Sequence, residues 1–482
     1  MSEEERPAAT DPAHNPGSDA ADGTRPHDPA VSEALSAFMR QGWADPPRDV
    51  AEEPVVPWAA KRRARLAERF PDDVLVIPAG TPKSRNNDCD YPFRVDTAHV
   101  WLTGNQESDA VFVLEHDQPT LFYRPRASRQ SDEFFRDARY GEFWAGRRPS
   151  LEETERRLGV PCRDLDELPD LLAKTPDARV HRGADRVVDA QVGGDEERDK
   201  ELSSALAELR LVKDSWEVEQ MQLAVDATSR GFDDCLREWD RVLEHGERWI
   251  EGTFWRRARV EGNDVGYTCI VGGGSHGTVL HWNDNDGPVR PGELLLLDMG
   301  VEARSLYTAD ITRTLPIAGR FSPLQRDLYT LVFDAQEAGM AAVRPGAKFS
   351  EYHQAAMTVL AHGLAGLELL PCTAEEALDP DSKVYRRWTI HGTGHMLGLD
   401  VHDCSAAPTD RYREGTLEPG YVLTVEPGLY FQPDDELVPE ELRGIGIRIE
   451  DDLLVTADGN VNLSAAMPRT ADDVETWMAS LR

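Results

Sequence analysis

Three histidines lie within twelve residues of this chain, in the segment His391-Gly-Thr-Gly-His395-Met-Leu-Gly-Leu-Asp-Val-His402. His391 and His395 have the i, i+4 spacing of a zinc-protease helix, but Gly392 stands where that motif requires a glutamate. The glycines on both sides of Thr393 favour a loop over a helix. Imidazoles gathered in a loop are suited to metal ligation or to proton transfer.

Acidic side chains stand beside apolar, strand-like residues both before and after this segment. Asp298 ends the run Glu293-Leu-Leu-Leu-Leu-Asp298, and Asp310 follows a polar stretch that suits a hairpin turn. Two paired strands would bring both carboxylates to one place. Glu426 and Glu450 also adjoin apolar strand residues, where an unpaired carboxylate would be costly.

These residues form an oxygen-rich set of metal-ligand candidates. The four carboxylates and one imidazole are Asp298, Asp310, His395, Glu426 and Glu450. Such a set suits hard or borderline dications such as Mn²⁺, with Co²⁺ as the alternative, better than a thiolate-bound Zn²⁺. Four negative ligands balance two dications, and two neighbouring metals can activate a bridging water and polarise a carbonyl. The predicted chemistry is hydrolysis.

Two further patterns have a structural and a functional interpretation. Period-two alternation over residues 445–450 places Arg448 and Glu450 on one strand face, which is typical of an ion pair or of a metal ligand oriented by an arginine. Residues 272–277 formally match the GxGxxG pattern, but strand-like residues follow instead of a helix. We interpret that segment as a loop that lets the backbone approach a ligand, with His281 just beyond it as a further ligand or proton-transfer candidate.

Composition and periodicity predict how the chain is divided. Residues 1–58 are acidic and rich in proline, which predicts a mostly disordered extension with one short helix over 31–43. Residues 59–195 predict a mixed α/β domain, and 191–200 a linker or exposed loop. Residues 200–482 predict an α+β domain in which helices followed by antiparallel strands occur twice.

Hydrophobic periodicity and turn residues predict the individual elements. A capping box formed by Asp214 and Glu217 predicts the start of a long helix. Further helices are predicted over residues 61–70, 324–343 and 352–367. Strands are predicted over residues 73–78, 99–104, 110–114, 120–124, 266–271, 279–282, 294–298, 309–316, 422–430 and 445–456.

Length, charge and cysteine usage limit the class of protein. A chain of 482 residues predicts two domains with accessory segments. A net charge of −35 argues against nucleic acid or an anionic membrane as a partner. The sequence shows no apolar run long enough for a membrane span and no secretory signal pattern. With six scattered cysteines, expected to be reduced and mostly buried, this predicts a cytoplasmic protein.

The motifs, taken together in their order along the chain, resemble those of the aminopeptidase P (Xaa-Pro aminopeptidase) family. The resemblance covers residues 60–475 and is strongest over 265–456. That family belongs to the pita-bread metallopeptidases, with methionine aminopeptidase and prolidase. The residues that carry it are His281, Asp298, Asp310-Ile-Thr-Arg-Thr, the segment from His391 to His402, Glu426-Pro-Gly-Leu-Tyr and Arg448-Ile-Glu450-Asp-Asp. The resemblance implies a C-terminal pita-bread (creatinase/aminopeptidase-like) catalytic domain preceded by a smaller mixed α/β domain.

The resemblance also implies how the metals are held. Asp298 and Asp310 would bind one of two metal ions, and Asp310 and Glu450 would bridge both. His395 and Glu426 would complete the other site. A bridging hydroxide would then attack the carbonyl carbon of the first residue, and the metals would stabilise the oxyanion.

Roles for the remaining residues follow from the same resemblance. Glu426 would shuttle the proton from water to the leaving proline nitrogen. His281, His391 and His402 would face the substrate, with His402 hydrogen-bonded to the peptide. Arg448 would orient Asp298 or relay protons.

The implied substrates are peptides with proline at position two, and the implied assembly is a homo-oligomer, either a dimer or a tetramer. Prolidase is the alternative, because it shares every ligand but cleaves only Xaa-Pro dipeptides. A non-catalytic protein or a metal-free hydrolase of the same fold is disfavoured, since all five ligand positions are intact.

Overall fold

The computed structural model of the chain describes residues 31–44 and 48–482. Disorder is predicted for most of residues 1–58, and of these residues 1–30 and 45–47 lie outside the described part of the chain. The short helix predicted over 31–43 is confirmed as Glu33–Met39, which begins after Ser32 as the N-cap. Two of its apolar side chains are exposed, Leu35 to 47% and Phe38 to 74%.

The described residues form sixteen α-helices and seventeen strands. The helices are α1 Glu33–Met39, α2 Val56–Arg69, α3 Thr97–Thr103, α4 Glu133–Arg136, α5 Glu142–Ala145, α6 Leu151–Leu158, α7 Leu168–Leu172, α8 Arg186–Gln191, α9 Glu196–Leu211, α10 Ser215–Arg237, α11 Trp239–His245, α12 Glu247–Glu261, α13 Pro323–Ala342, α14 Phe349–Gly366, α15 Ala374–Leu378 and α16 Ala471–Leu481. The strands are β1 Val74–Pro78, β2 Ser84–Asn86, β3 Cys89–Asp90, β4 Ala110–Glu115, β5 Gln118–Tyr123, β6 Cys162–Asp164, β7 Arg179–Val180, β8 Asp264–Val265, β9 Ile270–Gly273, β10 Leu294–Met299, β11 Val301–Glu302, β12 Ile311–Pro316, β13 Val422–Val425, β14 Gly428–Phe431, β15 Ile445–Arg448, β16 Asp451–Val455 and β17 Asn460–Asn462.

The first of two compact units contains the described residues up to 56, together with 72–178 and 183–193. Four of its strands pair in the order β6-β5-β4-β1, with β4 antiparallel to both of its neighbours. The predicted strand over 99–104 is wrong, because these residues belong to helix α3. Asp96 caps its start by accepting from the His99 N–H, and Gly104 ends it at a φ of 73°.

The second unit contains residues 57–71, 179–182 and 194–482. The capping box at Asp214 is confirmed, and it starts the 23-residue helix α10. The helices predicted over 324–343 and 352–367 are confirmed as α13 and α14. Antiparallel sheets with the orders β12-β10-β9 and β13-β16-β17 lie in the same unit.

Three predictions about loops and strands in this unit need correction. Part of the predicted linker is helical, because Asp195 accepts from the Glu197 and Arg198 N–H groups and so starts α9. The predicted strand over 279–282 is wrong, since a 3₁₀ turn, Gly274–Thr278, is followed by irregular backbone. The strand predicted over 266–271 is confirmed only at its end, where β9 begins at Ile270.

The two long strands predicted near the C-terminus are each interrupted at an acidic residue. Glu426 separates β13 from β14, and Glu450 separates β15 from β16. The Glu426 N–H donates to the Thr393 carbonyl at 2.8 Å, and the Glu450 N–H donates to the Thr312 carbonyl at 3.1 Å. Backbone from distant segments therefore holds Glu426 and Glu450 at the points where each chain passes from one sheet to another.

Two general predictions concern the state of the cysteines and the presence of membrane-spanning helices. All six cysteines lie in the described part of the chain and are free thiols, of which Cys235, Cys269 and Cys404 are buried. Over residues 31–44 and 48–482, no helix is both long enough and apolar enough to cross a bilayer.

Candidate metal centre

A cavity of about 980 Å³ lies within the second unit. It brings together all nine residues that sequence analysis selected as ligands or catalytic groups. They are His281, Asp298, Asp310, His391, His395, His402, Glu426, Arg448 and Glu450.

Two antiparallel strands place the first pair of carboxylates. β10 and β12 pair so that Asp298 lies opposite Thr312, and Asp310 immediately precedes β12. The Tyr267 hydroxyl lies 2.6 Å from Asp298 Oδ1 and 2.5 Å from Asp310 Oδ1. Because one hydroxyl can donate only one proton, it cannot donate a hydrogen bond to both carboxylate oxygens at once.

A tighter group of ligand atoms is formed by three residues from separate segments. Asp310, His395 and Glu450 each offer one atom, and these atoms lie within 4.8 Å of one another. Glu450 Oε2 accepts a hydrogen bond of 2.6 Å from the Thr312 hydroxyl, which fixes the carboxylate. Atoms at this spacing could share one ion at the 2.0–2.2 Å ligand distances that are usual for such metals.

The orientation of His395 suits metal ligation through Nε2. Its Nδ1 lies 3.2 Å from the Met396 carbonyl, an acceptor, so Nδ1 carries the proton. Nε2 faces Asp310 Oδ2 at 3.3 Å and Glu426 Oε1 at 3.6 Å. A Cβ on Gly394 would lie 2.0 Å from the Thr424 carbonyl, so this loop can approach β13 only with a glycine there.

The electrostatics of the cavity favour bound cations. Burial, reinforced by the neighbouring carboxylates, raises the pKa of Glu450 well above its usual range. Burial also raises the pKa of Glu426 to about 7, against the opposing effect of His395. For His395, burial disfavours the charged ring, but the hydrogen bond with Asp310 and the charge of Glu426 raise its pKa to about 9. Hard dications would relieve this repulsion, so the donor set fits them.

The three other histidines occupy different places around the ligands. His391 Nε2 lies 2.8 Å from the Tyr430 hydroxyl, and its Nδ1 is 3.5 Å from Glu426 Oε2. Burial and then Arg448 lower the pKa of His391 to about 3, which keeps the ring neutral. His402 meets His395 edge-on with ring centroids 4.3 Å apart. His402 and His281 are both exposed on the cavity side.

Arg448 pairs with Asp298 and not with the glutamate on its own strand face. Its Nη2 lies 2.5 Å from Asp298 Oδ2, while its Nη1 donates to the Tyr430 hydroxyl at 3.0 Å. Tyr430 thus links Arg448 to His391. Neither Tyr430 nor Tyr267 was predicted as a site residue. Tyr430 ends the run Glu426-Pro-Gly-Leu-Tyr, which could have indicated it, whereas the sequence around Tyr267 contains no such motif.

A buried ion pair supports the strand interruption at Glu450. Arg313 and Asp451 are both fully buried and pair at 2.8 Å, and Arg313 Nη1 donates to the Glu450 carbonyl at 2.7 Å. Replacing Arg313 would leave the fully buried Asp451 with Arg469, at 3.3 Å, as its remaining ion-pair partner, and breaking a buried pair typically costs about 3–5 kcal/mol. We therefore expect Arg313→Met to lower the free energy of unfolding by that amount in urea denaturation of metal-free protein.

The matched control is Arg241→Met, which removes an arginine that pairs with Glu244 at the surface. Exposed pairs contribute about 0–1 kcal/mol, so the control should unfold close to wild type. Equal losses in the two variants would contradict a special role for the buried pair.

Comparison with known protein families assigns both parts of the chain. Residues 219–457 match Metallopeptidase family M24, and residues 59–181 match the family described as Aminopeptidase P, N-terminal domain. The first match includes all nine cavity residues selected above.

Full-length relatives are similar in sequence and in structure. The chain is 55% identical to Xaa-Pro aminopeptidase 2 of Streptomyces coelicolor over 94% of this chain and 97% of the relative. It is 32% identical to Xaa-Pro aminopeptidase of Escherichia coli over 88% and 97% of the two chains. A zinc-substituted E. coli aminopeptidase P solved with product superposes with a TM-score of 0.79 at 30% identity, covering 90% of this chain and 100% of that one.

Both the expected N-terminal α/β domain and the expected pita-bread catalytic domain are thereby confirmed. The agreement extends over nearly the whole length of the relatives, so it concerns the complete two-domain architecture and not an isolated motif. The chain belongs to the aminopeptidase P family within metallopeptidase family M24, and it is a hydrolase of the metallo-aminopeptidase class.

Proposed function

We propose that this protein hydrolyses the first peptide bond of peptides whose second residue is proline, with two divalent metal ions. The observation that carries the proposal is the convergence of five ligand candidates and four further polar residues in one cavity. Relatives that are named Xaa-Pro aminopeptidases and align along nearly their whole length support the choice of substrate.

The proposed ligands divide between two ions. Asp298 and Asp310 would hold one ion, His395 and Glu426 would complete the other site, and Asp310 and Glu450 would be shared by the two sites. Bound there, two such ions supply Lewis-acid activation of a water nucleophile and of the substrate carbonyl. We propose Mn²⁺, with Co²⁺ as the alternative, from the oxygen-rich donor set. The E. coli relative solved with product is a zinc-substituted form.

Glu426 is the proposed proton carrier of the reaction. Its carboxylate lies between His395, at 3.6 Å, and His391, at 3.5 Å, and its side chain is 15% exposed. It accepts a proton from the attacking water and donates it to the proline nitrogen as the peptide bond breaks. The nitrogen leaves as a neutral amine, so no strongly basic anion is released.

The remaining residues bind and orient. His402 and His281, exposed on the cavity wall, donate or accept hydrogen bonds with the peptide backbone. His391 and Tyr430 form a hydrogen-bonded pair beside Glu426 and limit its movement. Arg448 holds Asp298 in the orientation that ligation requires, through their ion pair.

Peptide length separates the proposed activity from that of a prolidase. Metal-reconstituted protein assayed on Xaa-Pro peptides of two to five residues should release the first residue from tripeptides and longer substrates. Peptides with alanine at position two serve as the matched control and should be cleaved far more slowly. Turnover of the dipeptide without turnover of the tripeptide would contradict the proposal and favour prolidase.

We also propose how the chain is organised and where it works. The ranges 59–195 and 200–482 each contain one family match, which supports them, whereas the compact units place residues 57–71 and 179–182 in the second unit. The extension over 1–58 stays a prediction. Six free thiols support a reducing compartment such as the cytoplasm.

We propose that the protein is a homodimer or homotetramer, as the family resemblance implies. Sedimentation equilibrium tests this proposal, and a monomer would contradict it.

A further inference from the structure

A buried carboxylate outside the metal centre closes the loop that forms one wall of the cavity. Glu247 is the first residue of α12 and is fully buried. Its two oxygens accept four hydrogen bonds, all from the segment 273–287, which we call the wall loop. The donors are the Gly273 N–H at 2.8 Å, His276 Nδ1 at 2.8 Å, Trp282 Nε1 at 2.9 Å and the Gly287 N–H at 2.7 Å.

The four bonds use the whole acceptor capacity of the carboxylate, which offers about four lone-pair sites. Because carboxylate oxygens accept, Nδ1 of His276 must carry the proton, and this fixes the tautomer of the ring. The same ring stacks on Trp282 with centroids 3.8 Å apart. Two side chains of the wall loop are thus folded inwards onto Glu247.

Glu247 also joins the two ends of the wall loop. Gly273 and Gly287 bind the same side chain, and the Glu247 N–H donates to the Gly287 carbonyl at 3.0 Å. A Cβ on Gly287 would lie 2.5 Å from the His276 ring, so only glycine permits this approach. Asn285 adds a second connection, since its side chain bonds the backbone of Val271 and Cys269. Adjacent ends and inward side chains are typical of an Ω-loop.

The tip of the wall loop faces the substrate cavity. Val279, Leu280, His281 and Asn283 all line it. The backbone of this tip is irregular, so its position depends on the contacts that close the loop. Loss of the Glu247 carboxylate would leave buried N–H groups without acceptors, which favours opening of the loop.

We propose that Glu247 is a positioning residue: by closing the wall loop it places His281 and its neighbours against the peptide substrate. The identity of that substrate rests on the proposed function. The closure itself follows from the four hydrogen bonds and stands independently of it.

The test uses Glu247→Gln in the full-length, metal-reconstituted protein. An amide nitrogen would face donors where an oxygen now accepts, so backbone amides of residues 273–287 should exchange hydrogen faster than in wild type. The kcat/KM for an Xaa-Pro-Yaa tripeptide should fall about 10- to 100-fold, because misplacement by about 1 Å can cost on the order of 100-fold. Metal content per chain should stay unchanged, because Glu247 contacts no proposed ligand.

Glu238→Gln is the matched control. Glu238 also accepts from an indole and a hydroxyl, those of Trp249 and Thr253, but it lies outside the cavity lining. We expect this variant to keep the wild-type kcat/KM and the wild-type exchange of the wall loop.

A double-mutant cycle with His281→Ala separates positioning from general stabilisation. If Glu247 acts through the wall loop, its substitution should cost at least about threefold less in the His281→Ala background, because coupled residues are not additive. Equal losses in both backgrounds, or wild-type kcat/KM in folded Glu247→Gln, would overturn the proposal. If Glu247→Gln does not fold, Trp282→Phe removes one donor while keeping a ring, and the same cycle applies.

Failure of the proposed function would be visible separately. In that case wild type and Glu238→Gln would also fail to cleave the tripeptide. Faster exchange of the wall loop in Glu247→Gln would then still support closure by Glu247, and wild-type exchange would overturn it.

Discussion

Glu426→Gln is expected to lower kcat for an Xaa-Pro-Yaa peptide by about 10²–10⁴-fold, the usual contribution of a general acid–base group. Glutamine has the shape of glutamate and can keep a contact with Thr424, whose hydroxyl lies 3.4 Å from Glu426 Oε1. It cannot accept a proton at neutral pH. The chemical step should therefore suffer far more than substrate binding, so KM should change less than kcat.

Metal content must be measured in the same samples, because Glu426 is also a proposed ligand. A large loss of kcat with two metals still bound would assign the effect to proton transfer. Glu418→Gln is the control, since Glu418 pairs with Arg411 at a partly exposed site away from the cavity lining. Retention of more than about a tenth of wild-type kcat in Glu426→Gln would exclude its role as proton carrier.

The acidic ligand candidates could be predicted because their neighbours in sequence are apolar residues that are expected to be buried, where water cannot solvate a carboxylate. Asp298, Glu426 and Glu450 each adjoin apolar strand residues, and a carboxylate there needs a partner. The structure gives all three a place in one cavity. Their separation along the chain does not matter to this reasoning, since the burial cost is a local property.

The interruptions that present Glu426 and Glu450 could not be predicted in the same way. Both segments have the apolar character of continuous strands. The bonds that replace the ladder at these points come from Thr393 and Thr312, which are remote in sequence. Tertiary contacts therefore decide where each strand ends.

Residues that act through other side chains could not be predicted either, because their partners are also distant in sequence. Tyr267 meets Asp298 and Asp310 across 31 and 43 residues of chain. Glu247 is one of 88 acidic residues, and nothing near it in sequence distinguishes it. Only the fold shows that four donors converge on it.

The misassigned segment at 99–104 shows a different limit. Residues 98–103 are all buried, so hydrophobic periodicity could not separate a buried helix from a buried strand. The decisive signals were Asp96 before the segment and Gly104 after it, which cap the two ends of α3. Asp214 marks the start of α10 in the same way, so capping residues distinguish a buried helix from a buried strand where periodicity does not.

Asp310→Asn is expected to reduce bound metal from the proposed two ions per chain to at most one. Asp310 is the proposed bridge: its Oδ2 lies 3.3 Å from His395 Nε2, and its Oδ1 lies 2.5 Å from the Tyr267 hydroxyl. An amide supplies only one neutral acceptor and turns a donor towards the other neighbour, so it cannot join two cations. It also removes one of the four negative charges that balance them.

The measurement is metal stoichiometry by elemental analysis after reconstitution and gel filtration, which does not depend on catalysis. Asp472→Asn serves as the control, because Asp472 has an 85% exposed side chain and pairs only with a surface arginine among its described contacts. The control should bind two ions per chain like wild type. Two ions per chain in Asp310→Asn as well would refute the bridge, because a carboxylate shared by both metals cannot be neutralised without loss at one of them.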